Sequence, residues 1–276
     1  MTFASHVRTS AAFCLAALAL GACGRPAGTA PQAAAYSDQT AAPNAVYLTP
    51  PELSLAVRQA DGAVHLTGSA APSARVRLAS PEGTIYAATA GPGGAWSIDL
   101  PPASAPRMFA VSAETGSETV RAEGALLVLP PPGPPGLLAR AGFAAVALGS
   151  APKAAGIAAI DYDSEGGAAV AGFAQPGVQV RLSLDGQPAG LDLANAKGRF
   201  AVMAPNRRLS TGRRQIKIEA QGSPPATVEA QISPPAPLTA PYRAVRQAGA
   251  WRVDWKPPGG GVQTTLVFDT DGAPGQ

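Results

Sequence analysis

The chain has 276 residues and a formal net charge of +3 without a long basic run, so the electrostatic footprint of a nucleic-acid-binding protein is absent. Glycine and proline together make up about a fifth of the residues, a proportion that suits turns and linkers. Only two cysteines and two histidines are present, which leaves little material for a zinc site or a disulfide framework.

Residues 1–22 have the pattern of a secretory signal peptide. Arg8 gives a positive start, and residues 11–20 form an apolar run that is too short to span a bilayer as a stable helix. The run ends in small residues before Cys23. A charged start, a short apolar core and small residues at the cleavage point are typical of exported proteins.

Residues 20–23 read LGAC and resemble the lipobox of bacterial lipoproteins. The resemblance implies cleavage between Ala22 and Cys23 and attachment of a diacylglyceryl group, with acyl chains such as palmitate, to the Cys23 thiol. Two acyl chains suffice for stable anchoring in a membrane. Gly24, where an inner-membrane lipoprotein has Asp, implies the outer membrane. The alternative is an ordinary signal peptide with an incidental cysteine.

Residues 23–45 are rich in Ala, Pro, Thr and Gln and show no period, which predicts a flexible tether. Because Cys14 lies in the segment to be removed and Cys23 would carry lipid, we expect no free thiol and no disulfide in the mature chain.

Residues 64–101 and 168–205 are two copies of one pattern and align without a gap at an offset of 104. Internal repeats of this kind indicate tandem domains. The residues that correspond include the following pairs: Gly68 and Gly172, Pro72 and Pro176, Val76 and Val180, Leu78 and Leu182, Gly94 and Gly198, Trp96 and Phe200.

Apolar residues alternate within each copy, as at Val76 and Leu78, and the alternating segments are separated by turn-forming glycines and prolines. Period-two alternation predicts strands with one buried face, and short strands of this spacing suggest a sandwich or barrel of about seven strands. We expect Trp96 and Phe200 at equivalent core positions.

The pattern G-x-A-x-P-x-x-x-V-x-L, followed by G-x-W/F-x-[IV], resembles bacterial immunoglobulin-like repeats of envelope and surface proteins. The resemblance implies two antiparallel β-sandwiches, over residues 46–130 and 153–233, that serve as spacer, stalk or binding modules. The copies lack the cysteine pair of antibody domains, so no disulfide between the sheets is implied.

Residues 131–152 follow as a proline-rich linker and connecting segment. The sequence LPPPGPPG at 129–136 predicts an extended, semi-rigid spacer that keeps the domains apart. Residues 137–148 are apolar but too short for a membrane span and contain Arg140, which favours a buried strand or short helix.

Residues 238–270 predict a β-hairpin module around the glycine-rich turn at 257–261, followed by a disordered tail at 271–276. Trp251 and Trp255 share one strand face, with the charged residues Arg252, Asp254 and Lys256 on the other. A lone hairpin is marginal in water and needs a partner to pack on. Trp251 and Trp255 are therefore either docked on a neighbouring domain or candidate contacts for a protein partner or glycan.

The titratable residues argue against an enzyme. His65 alternates with Val64 and Leu66, so it should point outward from a strand, and no nucleophile elbow or P-loop is present. We therefore expect no catalytic residues, no metal and no cofactor. Residues 161–166, DYDSEG, resemble the first half of a calcium loop, but Gly172 stands where the bidentate Glu belongs. An acidic turn is the alternative, and calcium binding by Asp161, Asp163 and Glu165 stays open.

These observations predict an all-β outer-membrane lipoprotein with two tandem immunoglobulin-like sandwiches and a C-terminal hairpin module. Its expected role is non-catalytic, as a spacer, adhesion or assembly component of the cell envelope. The alternative is a glycan-binding lipoprotein that uses the tryptophan hairpin. The expected partners are the membrane, through lipid on Cys23, and an envelope protein or glycan, but not nucleic acid.

Overall fold

The computed structural model describes residues 48–150, 152–205 and 207–269. The predictions for segments 1–22, 23–45 and 271–276, including Ala22 and Cys23, lie outside these residues. Within the described ranges every regular element is a β-strand, which confirms the all-β class. Among the described residues there is no helix long and apolar enough to cross a membrane.

Seven antiparallel strands form the first sandwich. They are β1 (Glu52–Arg58), β2 (Val64–Ser69), β3 (Arg75–Ala79), β4 (Ile85–Thr89), β5 (Ala95–Leu100), β6 (Arg107–Thr115) and β7 (Glu118–Val128). One sheet has the order β1-β2-β5, and the facing sheet begins β4-β3-β6-β7. Alternation sets the buried face, since Trp96, Ile98 and Leu100 of β5 are buried while the residues between them are exposed.

The connecting segment adds two short strands, β8 (Leu137–Ala139) and β9 (Val146–Ala147), to the edge of β7. The density of prolines predicted a spacer that keeps the two sandwiches apart, but the segment does not hold them apart. Arg58 donates hydrogen bonds to the carbonyls of Leu129 at 2.6 Å and Gly133 at 3.1 Å, and Leu137 is fully buried. The segment folds back because its leucines have an apolar surface to cover on each side.

The second sandwich repeats the first. Its strands are β10 (Gly156–Tyr162), β11 (Ala168–Phe173), β12 (Gln179–Leu184), β13 (Gln187–Leu193), β14 (Arg199–Met203), β15 (Gly212–Ala220) and β16 (Ala226–Ile232). The order β10-β11-β14 faces β13-β12-β15-β16, as β1-β2-β5 faces β4-β3-β6-β7. The two strand orders define tandem immunoglobulin-like sandwiches.

The repeated glycines occupy equivalent positions beside the buried aromatic ring of each copy. Gly68 lies opposite Trp96 in the β2–β5 pair, and Gly172 lies opposite Phe200 in the β11–β14 pair. A Cβ atom at Gly68 would lie 2.3 Å from Trp96 Cζ2, and one at Gly172 would lie 2.6 Å from Phe200 Cζ. Each glycine thus leaves room for a buried aromatic ring, and the predicted core positions of Trp96 and Phe200 are confirmed.

The C-terminal module contains three strands, β17 (Tyr242–Gln247), β18 (Ala250–Trp255) and β19 (Gln263–Phe268). The predicted hairpin is the β18–β19 pair. Gly249, with a φ of +71°, makes a turn that divides the predicted long first strand in two. Strand β19 pairs with β10, so the second sandwich gains a six-stranded sheet of order β14-β11-β10-β19-β18-β17.

Both faces of this hairpin are covered, which corrects part of the sequence interpretation. Trp255 and Val253 share a face, and they pack with Leu127, Leu129 and Leu137 of the first sandwich and its connecting segment. On the opposite face, Arg252 and Asp254 are 6% and 1% exposed. The predicted placement of Arg252, Asp254 and Lys256 opposite the tryptophans did not indicate that this face is covered, and of the three residues only Lys256 is exposed.

Candidate functional site

A buried carboxylate lies where the connecting segment meets the second sandwich. Asp161, on β10, is 2% exposed. Its Oδ2 accepts a hydrogen bond from the Ala145 N–H at 2.7 Å, and its Oδ1 accepts one from Thr265 Oγ1 at 2.6 Å. Thr265 Oγ1 in turn accepts a hydrogen bond from Trp255 Nε1 at 3.1 Å. Burial raises the pKa of Asp161 to about 6, although these donors oppose the rise.

Gln263 on β19 fixes the same part of the connecting segment. Its Oε1 accepts a hydrogen bond from the Gly142 N–H at 3.0 Å, and its Nε2 donates to the Arg140 carbonyl at 3.0 Å. Arg140 closes the turn by donating twice to the Ala144 carbonyl, and its guanidinium lies 5.7 Å from the centroid of the Phe143 ring. We call residues 140–145 the linker loop. Hydrogen bonds hold its first residues to β19 and its last residue to β10. Phe143, between these ends, is nevertheless 54% exposed.

The linker loop forms one wall of a cavity of about 280 Å³, which we call the junction groove. Asp161 and Gln263 lie at its base, and Met203, which is 42% exposed, faces the groove from the end of β14. The charged side chains along its rim are Asp163, Glu165, Arg207 and Arg208. The volume is near the lower end of the range for small-molecule sites, which commonly occur at domain interfaces.

The acidic turn beside the groove does not have the geometry of a calcium loop. Asp163 Oδ1 accepts hydrogen bonds from the N–H groups of Glu165 at 2.9 Å and Gly167 at 3.0 Å, so this carboxylate closes its own turn. Asp161 belongs to the strand, where its oxygens are already bonded. Among the described residues, no group of three or more His, Cys, Asp or Glu side chains is placed to hold a metal ion.

A second buried polar network lies on the other face of β18. Asp254 accepts hydrogen bonds from Arg252 Nε at 2.9 Å, Thr264 Oγ1 at 2.6 Å and Arg243 Nη2 at 2.7 Å. Burial acts to raise the pKa of Asp254, but these three donors outweigh it and hold the pKa below its usual value. Arg252 also donates to the hydroxyl of Tyr162 at 3.2 Å. The network ties the added strands to the second sandwich.

The tryptophan pair predicted from sequence lies between the two sandwiches. Trp255 is 1% exposed and offers no surface to a glycan. Trp251 is partly buried, and the Arg246 guanidinium lies 5.5 Å from its ring centroid. His65 lies on the outer face of the first sandwich, as expected, with Nδ1 2.6 Å from Asp99 Oδ1.

Sequence reasoning did not find the junction groove. The one available signal was a carboxylate, Asp161, directly after the apolar segment GIAAI of β10. A charged residue at such a position implies a buried polar partner. Its partners, Ala145 and Thr265, are not identifiable from local sequence.

No protein-family model and no curated protein matches this chain. Solved structures match at low similarity. They include the BSP domain of a biofilm associated protein, at 13% identity over 69% of this chain and 30% of that chain, with a TM-score of 0.25. A Ca²⁺-stabilized adhesin by which an Antarctic bacterium binds ice matches at 16% identity over 77% and 58% of the two chains, with a TM-score of 0.23. The adhesin InvE of Yersinia pseudotuberculosis matches at 12% identity over 75% and 67%, with a TM-score of 0.22.

The chain spans less than a third of the first of these proteins. All three TM-scores are far below 0.5, so these matches carry no argument about function. The assignment to the class of tandem immunoglobulin-like sandwich proteins rests instead on the strand order and on the repeated glycine–aromatic pairs.

Proposed function

We propose that this protein is a non-catalytic lipoprotein of the bacterial cell envelope that acts as a rigid spacer and presents its second sandwich to a partner. The observation that carries the proposal is the buried apolar cluster between the two sandwiches. It joins Leu127 and Leu129 at the end of the first sandwich to Val253, Trp255 and Val267 of the added strands.

Domains in tandem move relative to one another unless their interface is extensive and apolar. Here polar contacts add to the apolar cluster. Arg199 Nη2 donates to the carbonyls of Ser54 at 2.9 Å and Leu148 at 3.2 Å, and the Tyr242 hydroxyl donates to the Pro106 carbonyl at 3.3 Å. These contacts support a fixed arrangement of the two sandwiches, which suits a spacer of defined geometry.

Attachment to the outer membrane through lipid on Cys23 is part of the proposal. It is supported by the LGAC sequence at 20–23 and by the tether-like composition of residues 24–45. The partner of the second sandwich would be an envelope protein or a glycan. A glycan-binding role does not rest on the tryptophan pair, because Trp255 is buried between the sandwiches.

Calorimetric unfolding of the mature chain tests the rigid spacer. We expect one cooperative transition for the wild type, because neither sandwich keeps its buried apolar surface covered if the other unfolds. Trp255→Ala should split it into two transitions, since it removes the largest side chain of the shared cluster. Leu191→Ala, at an exposed position of β13, is the matched control. Two independent transitions in the wild type would contradict the proposal.

A further inference from the structure

The junction groove brings together two apolar side chains that the fold leaves exposed. Single exposed apolar residues are ordinary on protein surfaces, but Phe143 and Met203 line the same cavity. The linker loop that carries Phe143 is fixed by hydrogen bonds with Asp161 and Gln263. The backbone that carries the ring is thus preorganised, so a ligand that packs on Phe143 would not have to order the loop.

The duplication provides an internal comparison. Met203 pairs with Ala169 across strands β14 and β11, and the equivalent pair in the first sandwich is Asp99 with His65. In the first sandwich this position carries an exposed, hydrogen-bonded polar pair. The architecture of the sandwich therefore does not require an apolar residue at this point, and the exposed Met203 is particular to the second sandwich.

The charges around the groove are close to balance. Asp163 and Glu165 are opposed by Arg207 and Arg208, and the carboxyl of Asp161 lies at the base. The two carboxylates at the rim would repel an anionic ligand, and the two guanidiniums would repel a cationic ligand. Carboxylates only accept hydrogen bonds and guanidiniums only donate them, so a ligand with groups that do both fits this rim.

From these three observations we propose that the junction groove binds a neutral sugar unit of a glycan. The C–H face of a pyranose ring packs on Phe143 and Met203, and its hydroxyl groups donate to the Glu165 carboxylate and accept from the Arg207 guanidinium. The cavity of about 280 Å³ is near the lower end of the range for small-molecule sites, which suits a single sugar ring. This binding role rests on the proposed presentation of the second sandwich to a partner and specifies the chemistry of that partner, but it depends neither on the rigidity of the spacer nor on lipid at Cys23.

Isothermal titration of the mature chain with neutral oligosaccharides tests the proposal. The probes are hexamers of glucose, N-acetylglucosamine, mannose and galactose, with polygalacturonate as the charged comparison. We expect saturable binding of at least one neutral hexamer. Phe143→Ala should weaken it about tenfold, since an aromatic contact contributes up to about that factor. Arg207→Ala should weaken it as well, without loss of a buried contact.

Leu191→Ala is the control, because Leu191 is exposed but does not line the groove. It should leave the affinity unchanged, and all three variants should keep the wild-type melting temperature. The proposal is overturned if no neutral hexamer binds at millimolar concentration, if only polygalacturonate binds, or if Phe143→Ala binds as tightly as the wild type. A failure here leaves the unfolding test of the spacer unaffected.

Discussion

Asp161 Oδ2 accepts a hydrogen bond from the backbone N–H of Ala145 at 2.7 Å, and this contact joins the linker loop to the sheet of the second sandwich. The carboxylate lies beneath the groove proposed to bind a glycan and within the junction that fixes the two sandwiches. The same residue therefore bears on stability and on the shape of the candidate site.

The stability of the protein should depend on pH through Asp161. Its pKa is about 6 in the folded protein and near 3.8 in the unfolded chain, so the folded state holds the proton more tightly between these values. The contribution of Asp161 to the free energy of unfolding is fully present below pH 3.8 and is lost as the pH rises through 6. The difference between the two pKa values corresponds to a loss of about 3 kcal/mol in this free energy.

Chemical unfolding between pH 4 and pH 7 measures this effect. Asp161→Asn should remove the decline of the free energy of unfolding with pH, because the amide does not titrate. Glu165→Gln changes an exposed acidic position, and its free energy of unfolding should fall with pH as that of the wild type does. Equal slopes for the wild type and Asp161→Asn would show that the carboxyl does not titrate in this range.

The glycine–aromatic pairs should be sensitive to a single methyl group. Gly68→Ala places a Cβ 2.0 Å from the Glu52 carbonyl oxygen and 2.3 Å from the Trp96 ring, so a strand or the ring must shift. Overpacking of this kind costs about 1–3 kcal/mol or more. Gly93→Ala is the control, because a Cβ there meets nothing within 4 Å and the φ angle is not positive. The prediction fails if both variants have the same melting temperature.

Removal of the Trp96 ring should lower the free energy of unfolding more than Gly68→Ala does. Truncation of a buried aromatic to Ala typically destabilises by about 3–5 kcal/mol, and Trp96→Ala and Phe200→Ala should show similar losses because the two residues occupy equivalent positions. Urea unfolding of each variant measures the change. A negligible loss at either position would contradict the assignment of that ring to the core.

Arg252 should stabilise the protein far more than an exposed arginine does. Arg252→Ala leaves the buried Asp254 carboxylate with only Arg243 and Thr264 as donors, and loss of one partner of a buried ion pair costs about 3–5 kcal/mol. Arg213, whose pair with Glu229 is largely exposed, is the control, and Arg213→Ala should cost at most about 1 kcal/mol. Similar melting temperatures for the two variants would refute the ranking.

The lipid anchor can be tested independently of the fold. Cells that express the wild type and take up a palmitate analogue should yield a labelled protein in the membrane fraction. Cys23→Ser should abolish the label and either release the protein or leave it uncleaved, because serine has no thiol to accept the diacylglyceryl group. Cys14→Ser should behave as the wild type does. A processed Cys23→Ser variant that still sediments with membranes would rule out this anchor.

Much of the fold was determined by the sequence alone. The offset of 104 between the repeats placed Trp96 and Phe200 at equivalent positions, and the alternation around Val76 and Leu78 identified strands. Strand alternation and turn residues depend on near neighbours in the chain, so they can be recognised in a single sequence. The repeat identified Gly68 as an equivalent position, but only the structure shows that it lies opposite Trp96 and leaves room for its ring.

The tertiary structure decided which surfaces are covered and by what. Alternation shows that two sets of residues face opposite sides of a strand, but it does not show whether one side or both sides are buried. Strand β19 pairs with β10 from about a hundred residues away, which places Thr265 beside Asp161. The first sandwich then covers the tryptophan face, and the second sandwich covers Arg252 and Asp254. Such contacts depend on long-range packing, which local sequence does not encode.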